Sequence, residues 1–281
     1  MHLDSSLSLR MTQKLSSSYI VPETIKFCRK KNNPECKTIY IYYYVKFKLQ
    51  DVIIMANILV YNNLSNAMES YVLNENDAMP YAAAGSITVG EFRGSSNAGT
   101  LWTDRRAMES WNTTRRLWGR PIYVGYAFKR IWEGGHDRMS QHYAGIAFDV
   151  GQNLDNITRN QLRNTAASSG VWSYVEPAYL TPTWVHFDKR TGTPACAIGG
   201  YPMVMQGSVG VYVLILQDAL NALGYTGSGL DGYFGSGTRS AVASFQRAQG
   251  LGADGIAGCL TWESLTTMAV SIGNTSTVVS P

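Results

Sequence analysis

The chain has 281 residues, 45% hydrophobic and 16% charged, a balance that suits a globular protein long enough for two domains. Its formal charge of +4 is local: residues 1–54 hold nine Lys/Arg against four Asp/Glu, and the remainder holds fifteen against sixteen. Most of the chain therefore lacks the basic surface that nucleic acid requires, and four cysteines without a Cys-x-x-Cys exclude a disulfide-dense scaffold.

Residues 1–54 do not read as a domain. A basic run, Arg29-Lys30-Lys31, precedes the β-prone Ile39-Tyr40-Ile41-Tyr42-Tyr43-Tyr44-Val45, which shows no partner strand nearby. Lys46, Lys48 and Asp51 interrupt the apolar stretch, so it is neither a membrane span nor a signal-peptide core. The composition changes at Met55, which is the expected translation start; residues 1–54 are then a disordered or mis-assigned leader.

Residues 56–85 open with Ile58-Leu59-Val60-Tyr61 and turn polar, without an evident role. Thr103-Asp104 caps a helix running to Trp118, with Met108, Trp111 and Leu117 on its apolar side, and Gly119-Arg120-Pro121 stops it. Residues 121–126 read as a strand. Asp155-Asn156 caps a helix over about 157–168, ended by Gly170. Residues 171–176 and 184–188 are strands separated by a loop from Pro177 to Pro182. Helices and strands without a βαβ rhythm predict an α+β domain on a mainly antiparallel sheet. Residues 191–206, with Gly199-Gly200-Tyr201-Pro202, have linker composition.

Beyond the linker, Val211, Leu214, Ile215, Leu216, Leu220 and Leu223 form a helical stripe. Asp231-Gly232 and Asp254-Gly255 are turns, and Thr238 and Thr261 are expected to cap two further helices. Residues 207–270 thus read as a small all-α three-helix bundle and residues 271–281 as a tail. Cys28, Cys36, Cys196 and Cys259 are expected as thiols, although Cys196 and Cys259 are free to pair.

The chemistry concentrates in Ser140-Gln141-His142-Tyr143-Ala144-Gly145-Ile146-Ala147-Phe148-Asp149 and Thr183-Trp184-Val185-His186-Phe187-Asp188. As strands, the first turns Ile146, Phe148 and Val150 to a core and leaves Asp149 on the open face; the second puts His186 and Asp188 opposite Val185 and Phe187. Gly145 permits a bend that returns His142 over the same face. Two imidazoles and a carboxylate suit zinc with one position left open. Taken singly, each histidine reads equally well as an ordinary half-buried side chain.

Ser140-x-His142-x-x-Gly145-x-Ala147-x-Asp149 followed by Trp184-Val185-His186 resembles the zinc D-alanyl-D-alanine peptidase family, whose fold is shared with the hedgehog signalling domain. The resemblance covers roughly residues 86–190, within a domain of 55–190. It implies zinc held by His142, Asp149 and His186, and a peptidoglycan stem peptide or cross-bridge as substrate. Many relatives carry an acid three positions before the last histidine, where this chain has Thr183, and others a histidine two before it, where this chain has Trp184; the proton shuttle is therefore assigned to Glu176 with Asp188 as rival. Arg138 is a candidate for holding a substrate carboxylate or the developing oxyanion.

The run Leu216-Gln217, Leu223-Gly224-Tyr225, Asp231-Gly232-x-Phe234-Gly235, Phe245-Gln246, Asp254-Gly255 and Thr261-Trp262 resembles the peptidoglycan-binding three-helix module. Together the two resemblances imply a monomeric, cell-wall or extracellular zinc hydrolase anchored to peptidoglycan, with no nucleic-acid partner and no membrane span. The alternative is a non-catalytic peptidoglycan-binding protein with a structural zinc site. A glycosidase using Glu176 and Asp188 explains neither histidine.

Overall fold

A computed structural model describes residues 19–27, 37–45, 55–227 and 229–275. The chain divides into two compact units, residues 1–53 and 54–281. In the first, strands β1 (Tyr19–Phe27) and β2 (Lys37–Val45) pair antiparallel, Tyr19 opposite Val45. The tyrosine-rich segment therefore has the partner its neighbourhood did not reveal; the rest of the leader lies outside the described residues.

The second unit begins with β3 (Met55–Asn62) and β4 (Ala67–Asn74), an antiparallel hairpin turning through Asn66 at φ 51°. Asparagine tolerates that left-handed conformation. After the short helix α1 (Val89–Arg93), β5 (Thr100–Asp104) adds to β3 in parallel. Asp104 then caps α2 (Arg105–Trp118) by accepting from the Arg106 amide. Met108 and Trp111 are buried as expected, whereas Leu117 lies half exposed on the outer side.

The sheet that matters for function has the order β6-β7-β9-β8, formed by β6 (Val124–Tyr126), β7 (Ala147–Val150), β8 (Tyr174–Val175) and β9 (Val185–Asp188), all pairs antiparallel. The helix α3 (Asn156–Ser168) runs between β7 and β8, and Asp155 caps it through the amides of Ile157 and Thr158. Phe148 and Phe187 face one another across β7 and β9 and bury completely against Trp111 and Trp172. Each such ring contributes roughly 1.5–3 kcal/mol of burial. The period of two then turns Asp149 and His186 to the opposite face.

The segment 191–206 is not a free linker. It forms the hairpin of β10 (Pro194–Cys196) and β11 (Gly199–Pro202), turning through Ala197 and Ile198, with Gly199 and Gly200 at φ 105° and 103° opening β11. Three helices follow: α4 (Val211–Ala222), α5 (Ser236–Ala248) and α6 (Cys259–Thr275). Cys196 and Cys259 form a disulfide between hairpin and α6, which corrects the expectation of thiols there. Helix α6 also runs through the first part of the expected tail. Gly273 packs against the Glu133 backbone so closely that a Cβ would lie 2.3 Å from its carbonyl carbon.

Two threonines expected as caps act differently. Gln217 Nε2 donates to Asp231 Oδ1, the Tyr233 carbonyl and Thr238 Oγ1; Gln246 Nε2 donates to Asp254 Oδ1, the Ile256 carbonyl and Thr261 Oγ1. One glutamine from each of α4 and α5 therefore locks the Asp-Gly loop that follows it onto the start of the next helix. This satisfies a buried amide completely, as a buried polar group must be.

The module is continuous with the domain before it. Arg130 pairs with the buried Asp218, which also accepts from Trp132 Nε1 at 3.1 Å. Tyr212 of α4 donates to Gln141 Oε1 at 3.1 Å, and Tyr201 of β11 to the Ser140 carbonyl at 2.8 Å.

Candidate metal centre

Direct cross-strand neighbours share a face of a sheet. Tyr126 lies opposite Asp149, Asp149 opposite His186, and the Glu176 amide donates to the His186 carbonyl at 2.8 Å. The four residues thus make one row across the sheet on the face turned from the aromatic core. His142 arrives from a tight turn over residues 140–145, with the Gly145 amide bonded to the His142 carbonyl. Gly145 sits at φ 67°, and a Cβ there would lie 1.9 Å from the Trp102 carbonyl oxygen, so only glycine fits.

His142, Asp149 and His186 offer ligand atoms that all lie within 4.8 Å of one another. His142 Nε2 is 3.2 Å from Asp149 Oδ2, and His186 Nδ1 is 2.8 Å from Asp149 Oδ1. His142 Nδ1 lies 3.1 Å from the Ala127 carbonyl, which can only accept. That contact assigns the proton to Nδ1 and leaves the Nε2 lone pair facing Asp149. Nε2 lies beside the carboxylate, yet among the described residues it is buried without a hydrogen-bond partner. An orphaned imidazole nitrogen beside a carboxylate and a second imidazole fits a divalent cation with nitrogen and oxygen ligands, zinc above all.

The electrostatics agree. Burial pushes the Asp149 carboxyl up, but the two imidazoles beside it outweigh this and hold it well below the usual carboxylate range. Burial opposes a charge on His186, yet Asp149 and then Asp188 more than compensate, and its pKa is pushed up to about 9. His186 therefore keeps a proton at neutral pH, between Asp149 and Asp188.

Asp188 is fully buried. It lies 3.3 Å from His186 Nε2 and binds Arg190 through its guanidinium and amide. Burial raises its pKa, but Arg190 and His186 bring the net shift downward. With both oxygens engaged, it orients His186 in the manner of the outer carboxylates of metal sites. Glu176, by contrast, stands beside His186 at the end of the row. Arg138 is engaged elsewhere: its guanidinium meets Thr267 Oγ1 at 3.3 Å and Glu263 at 3.6 Å, both on α6. The loop before β9 is fastened by two buried arginines of α3, with Arg159 donating to the Pro182 carbonyl and Arg163 to those of Thr181 and Trp184.

Two further neighbours border the site: His136, which the sequence offers as a pocket-lining or loop residue, and Tyr126, which it does not place there. The His136 ring lies 4.6 Å from that of His142, and burial followed by His142 pushes its pKa down to about 3. Tyr126 stacks edge-on against His142 at 5.1 Å, its hydroxyl buried without a hydrogen-bond partner. Gly125-Tyr126 was visible as a strand end, but its pairing with β7 is a long-range fact.

Residues 210–265 match the peptidoglycan binding domain family. The three-helix module is a peptidoglycan-binding domain. An uncharacterized protein of Kitasatospora aureofaciens from the bpoA1 3′ region is 46% identical over 78 residues, which are 26% of this chain and 66% of that protein. The chain thus spans just under two thirds of that relative. A peptidoglycan-binding protein from Clostridioides difficile, solved with glutamine hydroxamate, is 43% identical over 24% of this chain and 42% of its own, with a TM-score of 0.23. The SleB N-terminal domain is 36% identical over 24% of this chain and 92% of its own, also with a TM-score of 0.23. The family match leaves residues 55–209, and with them the metal cluster, outside the peptidoglycan-binding domain.

Proposed function

We propose that residues 55–190 form a zinc-dependent peptidase domain that cleaves a peptide bond in the stem peptide or cross-bridge of peptidoglycan. The peptidoglycan-binding domain holds it at the cell wall. The observation that carries the reading is the cluster of His142, Asp149 and His186, with an unpartnered imidazole nitrogen buried at its centre. His142, Asp149 and His186 would hold the ion, which supplies Lewis acidity and a more acidic water. Glu176 takes a proton from the attacking water and hands it to the leaving amine. Asp188 fixes the His186 ring, and the Ala127 carbonyl fixes that of His142.

A second reading has its own support. The family match is confined to the binding domain, and Thr183 stands where the peptidases place an acid. By themselves the comparisons favour a peptidoglycan-binding protein; any ion held by the cluster would then be structural. No helix among the described residues is long and apolar enough to cross a membrane, and both readings place the protein at the wall. Purified peptidoglycan separates them. New amino groups, abolished by chelation and restored by zinc, are expected of the peptidase; binding to peptidoglycan without amine release would leave the second reading.

A further inference from the structure

We propose that Tyr126 is a second catalytic residue of this centre, whose hydroxyl donates a hydrogen bond to the scissile carbonyl oxygen as it gains negative charge. The inference rests on the peptidase reading of the same site. Its ground is the order of the row: Tyr126, Asp149, His186 and Glu176 are successive neighbours across the sheet. Asp149 and His186 pair in regular register, and although a bulge lies between Val124 and Tyr126, the contact of the Tyr126 ring with His142 puts it on the same side. Asp149 and His186 occupy the middle of the row, so Tyr126 and Glu176 flank the reaction centre on opposite sides. One end carries a carboxylate that can move a proton, and the other a donor that can stabilise charge.

The Tyr126 hydroxyl has the state this role requires. It is buried, yet no protein group accepts its proton or donates to it. A buried polar group left unpaired destabilises a fold and points to a partner that arrives later. Contacts at 5.1 Å with His142 and 4.2 Å with His136 fix the ring in place, so the donor is set before substrate enters. Tyr126 keeps its proton throughout, and the transferred proton belongs to Glu176.

The test is Tyr126→Phe, which retains the ring and removes only the oxygen. Zinc-loaded wild type and variant are compared for zinc stoichiometry, thermal midpoint and affinity for acetohydroxamate, an oxyanion-bearing probe of zinc centres. The expected result is equal zinc content, an equal or higher midpoint, and acetohydroxamate binding weakened about tenfold. Turnover of purified peptidoglycan should fall by a similar or larger factor through kcat. Equal acetohydroxamate affinity in the two proteins overturns the proposal, as does a lowered midpoint, which would give the hydroxyl a structural partner. Wild type that takes up zinc but not the probe overturns it too. Wild type that takes up no zinc sinks both this inference and the peptidase reading, so the two failures are told apart by the first measurement.

Discussion

If His142, Asp149 and His186 hold zinc as proposed, zinc and a proton compete for His186, and their competition has a calculable size. With its pKa pushed up to about 9, His186 is almost wholly protonated at pH 7 in the metal-free protein. Zinc requires the free nitrogen, so each ion bound at pH 7 expels about one proton. The apparent affinity should then rise roughly 50-fold between pH 7 and pH 9, about 2.3 kcal/mol, whereas an imidazole at its ordinary ~6.5 would change less than twofold. Competition against a chromophoric chelator of known pH dependence measures the affinity, and calorimetry in two buffers of different protonation enthalpy counts the proton. The stability of the metal-free protein moves the other way. A raised pKa stabilises the fold fully below about pH 6.5, and that stabilisation, on the order of 3 kcal/mol, is lost as pH rises through about 9. Asp149 adds nothing to this window, because its depressed pKa contributes stability lost only in acid. An affinity that changes less than threefold from pH 7 to pH 9, with no proton released, would refute the reasoning.

Glu176→Gln should keep full zinc content and wall binding while amine release falls at least about 100-fold; unchanged release would hand the proton shuttle to another group. Gly145→Ala places a Cβ against the Trp102 carbonyl at a left-handed backbone angle, and about 2–4 kcal/mol should disappear from the urea unfolding free energy. Reducing the Cys196–Cys259 bridge, which links residues 63 apart in sequence, should cost about 2–4 kcal/mol, read as a lower denaturant midpoint under dithiothreitol. An unchanged midpoint would show that the noncovalent contacts of the hairpin suffice.

Local signals were legible in the sequence and long-range ones were not. Asp104 and Asp155 announce α2 and α3 because capping is decided within three residues. The alternation around Asp149 and His186 gives the correct faces because a strand's period is local. Nothing within either segment says that β6 and β9 both border β7, so Tyr126 could not be placed beside Asp149. The β3–β4 hairpin was missed for want of a glycine turn; its signal was Asn66, which accepts a positive φ. The Cys196–Cys259 pairing stayed open in the sequence, with thiols expected, because a separation of 63 residues carries no spacing rule.

The linker composition of residues 191–206 misled for a reason that bears on the site. Gly199 and Gly200 open a strand at positive φ, and the hairpin they belong to delivers Tyr201 to the Ser140 carbonyl. Tyr212, at the start of the peptidoglycan-binding domain, meets Gln141, and Arg138 meets Glu263 and Thr267 of α6. All three contacts fall within four residues of His142. The three-helix module and the candidate metal centre are therefore joined through the turn that carries His142. A flexible tether would raise only the local concentration of substrate; this packing also fixes where the metal centre stands relative to the binding domain. Removing residues 191–281 strips the His142 turn of its outer wall as well as its anchor, so a truncated domain that binds zinc poorly has lost scaffold and not chemistry.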